Sequence, residues 1–236
     1  MIYMDWILKE NIEELKKMVL KEGWLIESLL NQVLNALKER DKEAVLNALK
    51  NENEINVMDM KIKEKALIIL STLMPMSKDL RMVTGSFVIS SYFQDISEKT
   101  LDIARKILEL IKEPQLKPLI TIPEMTKISL IMLRESMRMF ADQNILGAES
   151  ICEKDAEIDN FFDDIRKELM VYMMEDARYV KRALILLEIS QKIEEIADIA
   201  TKIVETTSYI ITGRQYKCFG DKLHTIETLE DMGDKI

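Results

Sequence analysis

Only four prolines punctuate the 236 residues, and three of them, Pro114, Pro118 and Pro123, fall within ten positions. Proline lacks a backbone donor and biases the residue before it away from helix, so each one marks an element boundary. Elsewhere apolar residues recur in steps of three and four over long stretches. Ile12, Leu15, Met18, Val19, Ile26, Leu29, Leu30, Val33 and Leu37 make one such series, which lays a single apolar stripe along a helix. There are also only 6 glycines, too few for the tight turns that β-rich or loop-rich folds require. The fold class is all-α.

The punctuation divides the chain. One long helix runs to a polar break at Glu39-Arg40-Asp41-Lys42, and a second continues from there to about Met74, where Pro75 stops it. Ser77 is placed to cap a third helix that reaches about Glu113. After the proline cluster the pattern restarts, with helices from about Pro123 to Asp142, Asn144 to Met174 and Asp176 to Thr212, and Gly213 as a C-terminal cap. Six long helices with short connections pack as antiparallel neighbours. The reading is two tandem three-helix bundles, at 1–113 and 123–213, joined by a Pro-rich linker at 114–122. A polar tail without clear period follows at 214–236. Whether the bundles sit side by side or share one core is open at this stage.

The two halves repeat one another. Asn53-Glu54-Ile55-Asn56 reads against Ala156-Glu157-Ile158-Asp159, and Gln94-Asp95-Ile96-Ser97-Glu98 against Glu194-Glu195-Ile196-Ala197-Asp198. The matched positions carry acids or amides four residues apart, on one helical face. In the second half Asp155 with Asp159, and Glu194 with Asp198, supply four carboxylates, and Asp163 could extend the row. Facing each other across antiparallel helices, they form an all-oxygen site suited to Fe, Mn, Mg or Ca. In the first half the equivalents are Glu52 with Asn56 and Gln94 with Glu98, so two acids have become amides; Asp102, one turn beyond Glu98, and Asp59, near Asn56, are candidates to compensate. Most acidic pairs at this spacing are solvated helix faces. Recurrence at equivalent places is what raises these above that background.

Acidic residues number 42 against 33 basic, a net charge of −9, which repels nucleic-acid phosphates. No segment is apolar for the length a bilayer requires, and Asp5, Lys9 and Glu10 stand where a signal peptide would place its apolar region. A cytoplasmic location is expected. Cys152 and Cys218 lie in unrelated contexts, so reduced thiols are expected rather than a disulfide or zinc site. His224 is a lone polar tail residue.

Pro75-Met76-Ser77-Lys78-Asp79-Leu80-Arg81 resembles the P-x-A-x-D-L-R segment of PhoU proteins. Gln94 to Ala104 is similar to that family's E-R-I-G-D-x-A-x-N-I-A, Glu194 to Ala200 matches the same motif with both acids intact, and Tyr209 to Gly213 resembles its closing Y-x-x-x-G. The resemblance covers Asn11 to Gly213. It implies two three-helix bundles whose E(D)xxxD motifs hold a multinuclear iron cluster or another divalent or trivalent metal. The implied ligands are Asp155, Asp159, Glu194 and Asp198 in one site, and Glu52 and Glu98, with Asp102 nearby, in the other. It further implies a negative regulator of phosphate uptake and phosphate-starvation signalling. Its implied partners are the ATPase subunit of a phosphate ABC transporter and a sensor histidine kinase, with the membrane reached only through them; a homodimer is compatible.

Two other readings compete. A ferritin-like di-metal enzyme also places carboxylates in a helical bundle, but needs Glu-x-x-His on two helices, and this chain has one histidine. A purely structural adaptor with solvated acid pairs needs no metal at all.

Overall fold

A computed structural model describes residues 2–116 and 121–233. Its helices are α1 (Ile2–Glu39), α2 (Lys42–Ala48), α3 (Glu52–Leu73), α4 (Ser77–Leu110), α5 (Thr121–Asp142), α6 (Ala148–Glu175), α7 (Val180–Thr212) and α8 (Ile226–Gly233). Strands β1 (Tyr216–Phe219) and β2 (Lys222–Thr225) pair antiparallel. The six long helices form two bundles, α1/α3/α4 and α5/α6/α7. They are not separate bodies: α4 packs along α7 and α1 against α5, and one apolar cluster runs from Ile12 to Ile210. The seam is close because Gly85 on α4 lies directly under Ile210 of α7, and Gly23 on α1 under Met137 and Phe93. Lys99–Glu195 and Lys106–Glu188, each at 2.6 Å, bridge α4 to α7 at its edge.

The second helix is not continuous. Asp41 caps α2, its carboxylate accepting from the backbone of Glu43 and Ala44 at 2.9 and 3.0 Å, and a 3-10 turn at Leu49–Asn51 separates α2 from α3. The buried series Val45, Ala48, Ile55, Asp59, Ile62 passes through that turn in helical phase, so periodicity alone reads one helix. Ser77 is not a cap; it is the first residue of α4, with φ +52°. Helix α6 starts four residues later than expected, because Asn144 Oδ1 accepts from Leu146 N at 2.9 Å and Gly147 turns the chain at φ +93°. Gly213 closes α7 as expected, at φ +76°, its N–H bonding Tyr209 O at 2.8 Å.

Arginines fasten the helix ends. Arg40 donates to the carbonyls of Leu110, Ile111 and Glu113 at 3.0, 3.1 and 2.6 Å, covering the C-terminus of α4. Arg81 of the Pro75–Arg81 segment does the same for α7, its Nε donating to Ile210 O at 3.2 Å. A cation at a helix C-terminus satisfies orphan carbonyls and complements the dipole. Of the expected linker, 117–120 lie outside the described residues; Pro114 O accepts from Arg182 at 3.1 Å, and Pro123 sits in the first turn of α5, where its missing N–H has no intrahelical partner to lose.

The tail departs most from expectation. Residues 216–225 are a hairpin packed on α6 and α7, and Cys152 and Cys218 form a disulfide, with Cα atoms 5.5 Å apart. This corrects the expectation of reduced thiols, which rests on the unrelated sequence contexts of the two cysteines; the hairpin brings them together in space across a separation of 66 residues.

Candidate carboxylate site

Helix α6 carries Asp155 and Asp159 one turn apart, and the facing helix α7 carries Glu194 and Asp198. Folding brings the four near one another: Asp155 feels the charge of Asp198, Asp159 and Glu194, and Glu194 that of Asp198 and Asp159. Burial pushes the Asp155 carboxyl up to about 7, with Asp198, Asp159 and Glu194 adding to the rise. Burial likewise raises Glu194 to about 7, helped by Asp198 and Asp159, and Asp159 is raised by burial, then by Asp198 and Asp163. None of the four carboxylates makes a hydrogen bond or ion pair among the described residues. Two cations oppose the rise, each engaged elsewhere: Lys217 of β1 acts on Asp155 but pairs with Glu205 at 3.1 Å, and Lys99 acts on Glu194 but is bonded to Glu195 at 2.6 Å. Asp163 does not join the group; it pairs with Arg166 at 2.9 Å.

The first-half positions also meet, in a 270 Å³ depression lined by Glu52, Asn56, Gln94, Glu98, Asp102 and Arg105. There the polar groups pair largely with one another, although Gln94 Oε1 is buried without a partner. Gln94 Nε2 donates to Asn56 Oδ1 at 2.7 Å and to Glu98 Oε1 at 3.2 Å. Arg105 holds Asp102 at 2.8 Å and Glu52 at 3.4 Å. A guanidinium thus supplies the positive charge, and an amide pair replaces two acids. Asp59 does not extend this row: it points inward, 8% exposed, to Lys63 at 2.8 Å and Ser90 at 3.0 Å.

That inward cluster escaped the sequence reading. Glu22 on α1 is fully buried and accepts from Ser90 Oγ at 2.7 Å, while its Oε1 has no partner. A signal was present: Glu22 stands between Val19 and Ile26, on the apolar stripe of α1.

Among the described residues no three acidic, histidine or cysteine side chains already converge on a single coordination point. The second-half donors nevertheless suit a hard cation: four oxygen-donor carboxylates, unpaired and mutually repelling, which a multivalent ion would neutralise. The first-half set fits poorly, because Arg105 already stands in it. Fold and site together define a tandem-repeat helical bundle protein with a carboxylate cluster on its second repeat.

The PhoU domain model matches twice, over residues 19–107 and 122–207. A PhoU homolog 2 of Thermotoga maritima, titled a phosphate-specific transport system accessory protein, is 41% identical over 220 residues, 93% of this chain and 94% of the relative. The crystal structure of PhoU from Pseudomonas aeruginosa superposes with a TM-score of 0.84 at 25% identity, over 87% of this chain and 99% of that one. The phosphate transport system regulatory protein PhoU from Streptococcus pneumoniae gives 0.82 at 27%, over 89% and 99%. The chain belongs to the PhoU family.

Proposed function

We propose that this protein is an accessory regulator of phosphate uptake that works by contact with other proteins, and that its second-repeat carboxylates bind a hard multivalent cation. The observation that carries the cation reading is the unpaired group of Asp155, Asp159, Glu194 and Asp198, two of which are held near 7 by burial and mutual repulsion. A half-buried cluster of like charges without internal neutralisation is costly, and a cation would relieve it. Iron is the ion that the family resemblance suggests, as a multinuclear cluster. When bound, the metal supplies positive charge that would let an acidic surface engage an anion; the chain's own part is to hold the oxygens on two rigid helices. The regulatory reading is supported by the relatives' being named transport system accessory and regulatory proteins. Its proposed partners are a phosphate transporter's ATPase subunit and a sensor histidine kinase. No helix among the described residues is long and apolar enough to cross a membrane, in keeping with access to the transporter through that subunit. The relatives are named as accessory proteins rather than enzymes, and we assign no catalytic residue.

Elemental analysis of the protein beside Asp155→Asn/Asp159→Asn tests the cation site: the double variant should lose bound iron or manganese, and unchanged metal content would exclude these ligands. Pull-down with the ATPase subunit and with the kinase tests the regulatory reading, and binding to neither would remove its support.

A further inference from the structure

Cys152 lies in α6 one turn before Asp155 and is fully buried. Its partner Cys218 is in β1 and half-buried. The hairpin that carries Cys218 packs on α6 and α7. Glu205 of α7 accepts from Cys218 N at 2.9 Å and pairs with Lys217 at 3.1 Å, and Leu223 of β2 packs on the core edge. Phe219 at the turn is 62% exposed. A two-stranded hairpin of this size is marginal without outside support, and the disulfide adds a covalent tie to α6. The bond also ties the residue next to Lys217 to α6, while the Lys217 ammonium pairs with Glu205 at 3.1 Å and its charge acts on Asp155.

We propose that Cys152–Cys218 is a reversible redox latch that straps the C-terminal hairpin across the α6–α7 edge of the carboxylate cluster, and that exchange with a dithiol reductant releases it. Cys218, the less buried of the two cysteines, is the point of attack. A reductant thiolate bonds to it and the S–S bond breaks, expelling Cys152 Sγ as a thiolate that takes up a proton. The reductant's second thiol then displaces Cys218, which is protonated in turn. Two electrons and two protons pass to the protein, and the reductant leaves as its own disulfide. Release frees the hairpin to leave the α6–α7 edge, and with it the Lys217 charge that acts on Asp155. Resting on the cation reading above, the reduced protein should therefore bind a cation more tightly than the oxidised one.

The test uses the full chain, oxidised with oxidised glutathione or reduced with dithiothreitol, together with Cys218→Ser, which spares the buried Cys152 position. Thiol counts in denaturant should be none and two for the oxidised and reduced wild type. Trypsin should cut after Arg214, Lys217 and Lys222 at least about tenfold faster in the reduced protein and in Cys218→Ser than in the oxidised protein, because opening then needs no covalent release. Equal cleavage rates, or two free thiols after oxidation, would overturn the latch. Mn2+ titration separates the two ideas. Tighter binding after reduction supports the link to the cluster, and equal binding in both states overturns that link. No binding in either state counts against the cation reading, while the cleavage rates still decide the latch.

Discussion

Replacing Glu22 by glutamine should make the protein more stable at alkaline pH and remove much of its pH dependence. Glu22 is fully buried on the inner face of α1. Its Oε2 accepts from Ser90 of α4, beside Asp59 of α3, which is itself paired with Lys63, yet Oε1 finds no donor. Burial raises its carboxyl from 4.5 to about 8, and Asp59 adds to the rise, whereas the Ser90 hydrogen bond and Lys63 oppose it. The folded protein therefore binds a proton at Glu22 that the unfolded chain has released. Stability from this group is fully present below the unfolded value and is lost as pH rises toward about 8. At ~1.36 kcal/mol per unit the shift corresponds to about 5 kcal/mol across that window, an upper bound because water entry and side-chain relaxation soften buried charges. Glutamine keeps the shape and cannot ionise. Urea unfolding of both proteins at pH 5, 6.5 and 8 is the assay, and subtracting the profiles cancels every group the two proteins share. The difference should favour Glu22→Gln progressively, by at least about 2 kcal/mol between pH 5 and 8. Parallel profiles within about 0.5 kcal/mol would refute the claim that Glu22 folds protonated.

Cation affinity at the second-repeat cluster should rise with pH. Asp155 and Glu194 retain protons below about 7, and a cation must displace them, so Mn2+ binding by calorimetry should strengthen up to about tenfold per pH unit for each proton released between pH 6 and 7; a flat profile would contradict the raised carboxyls. Gly85→Ala places a Cβ against Ile210 at the α4–α7 seam, and should cost about 1–3 kcal/mol in chemical denaturation. No loss would mean that the seam has slack. Rebuilding the first-half depression as Asn56→Asp/Gln94→Glu/Arg105→Gln should create a second cation site, seen as additional metal equivalents per chain. Unchanged stoichiometry would show that the acid pattern alone does not specify binding.

Much of the fold was legible because helical burial has a period. The stripe from Ile12 to Leu37 and the break at Pro75 follow from side-chain spacing and proline geometry, and the Gly213 cap from a positive φ. The paired acids were legible for the same reason: i, i+4 residues share a face whatever the helix packs against. Periodicity failed where it carries no information. It ran unbroken through the 3-10 turn at Leu49–Asn51, and it treated Asp59 as one more acid in a surface row when that residue faces Ser90 and Lys63 in the core. Arg105 was overlooked because its importance depends on Glu52, 53 positions earlier in the chain.

Local sequence therefore sufficed for what depends on neighbours along the chain: helical class, the repeat, and which faces bear carboxylates. Contacts between distant segments settled the rest. The bundles merge through α4 and α7 because Gly85 and Gly23 allow close approach. The acids of one repeat stay unpaired while those of the other are neutralised by Arg105. The tail folds back so that Cys218 reaches Cys152. Each outcome is set by which side chains share a volume of space, and the linear spacing of residues does not encode that.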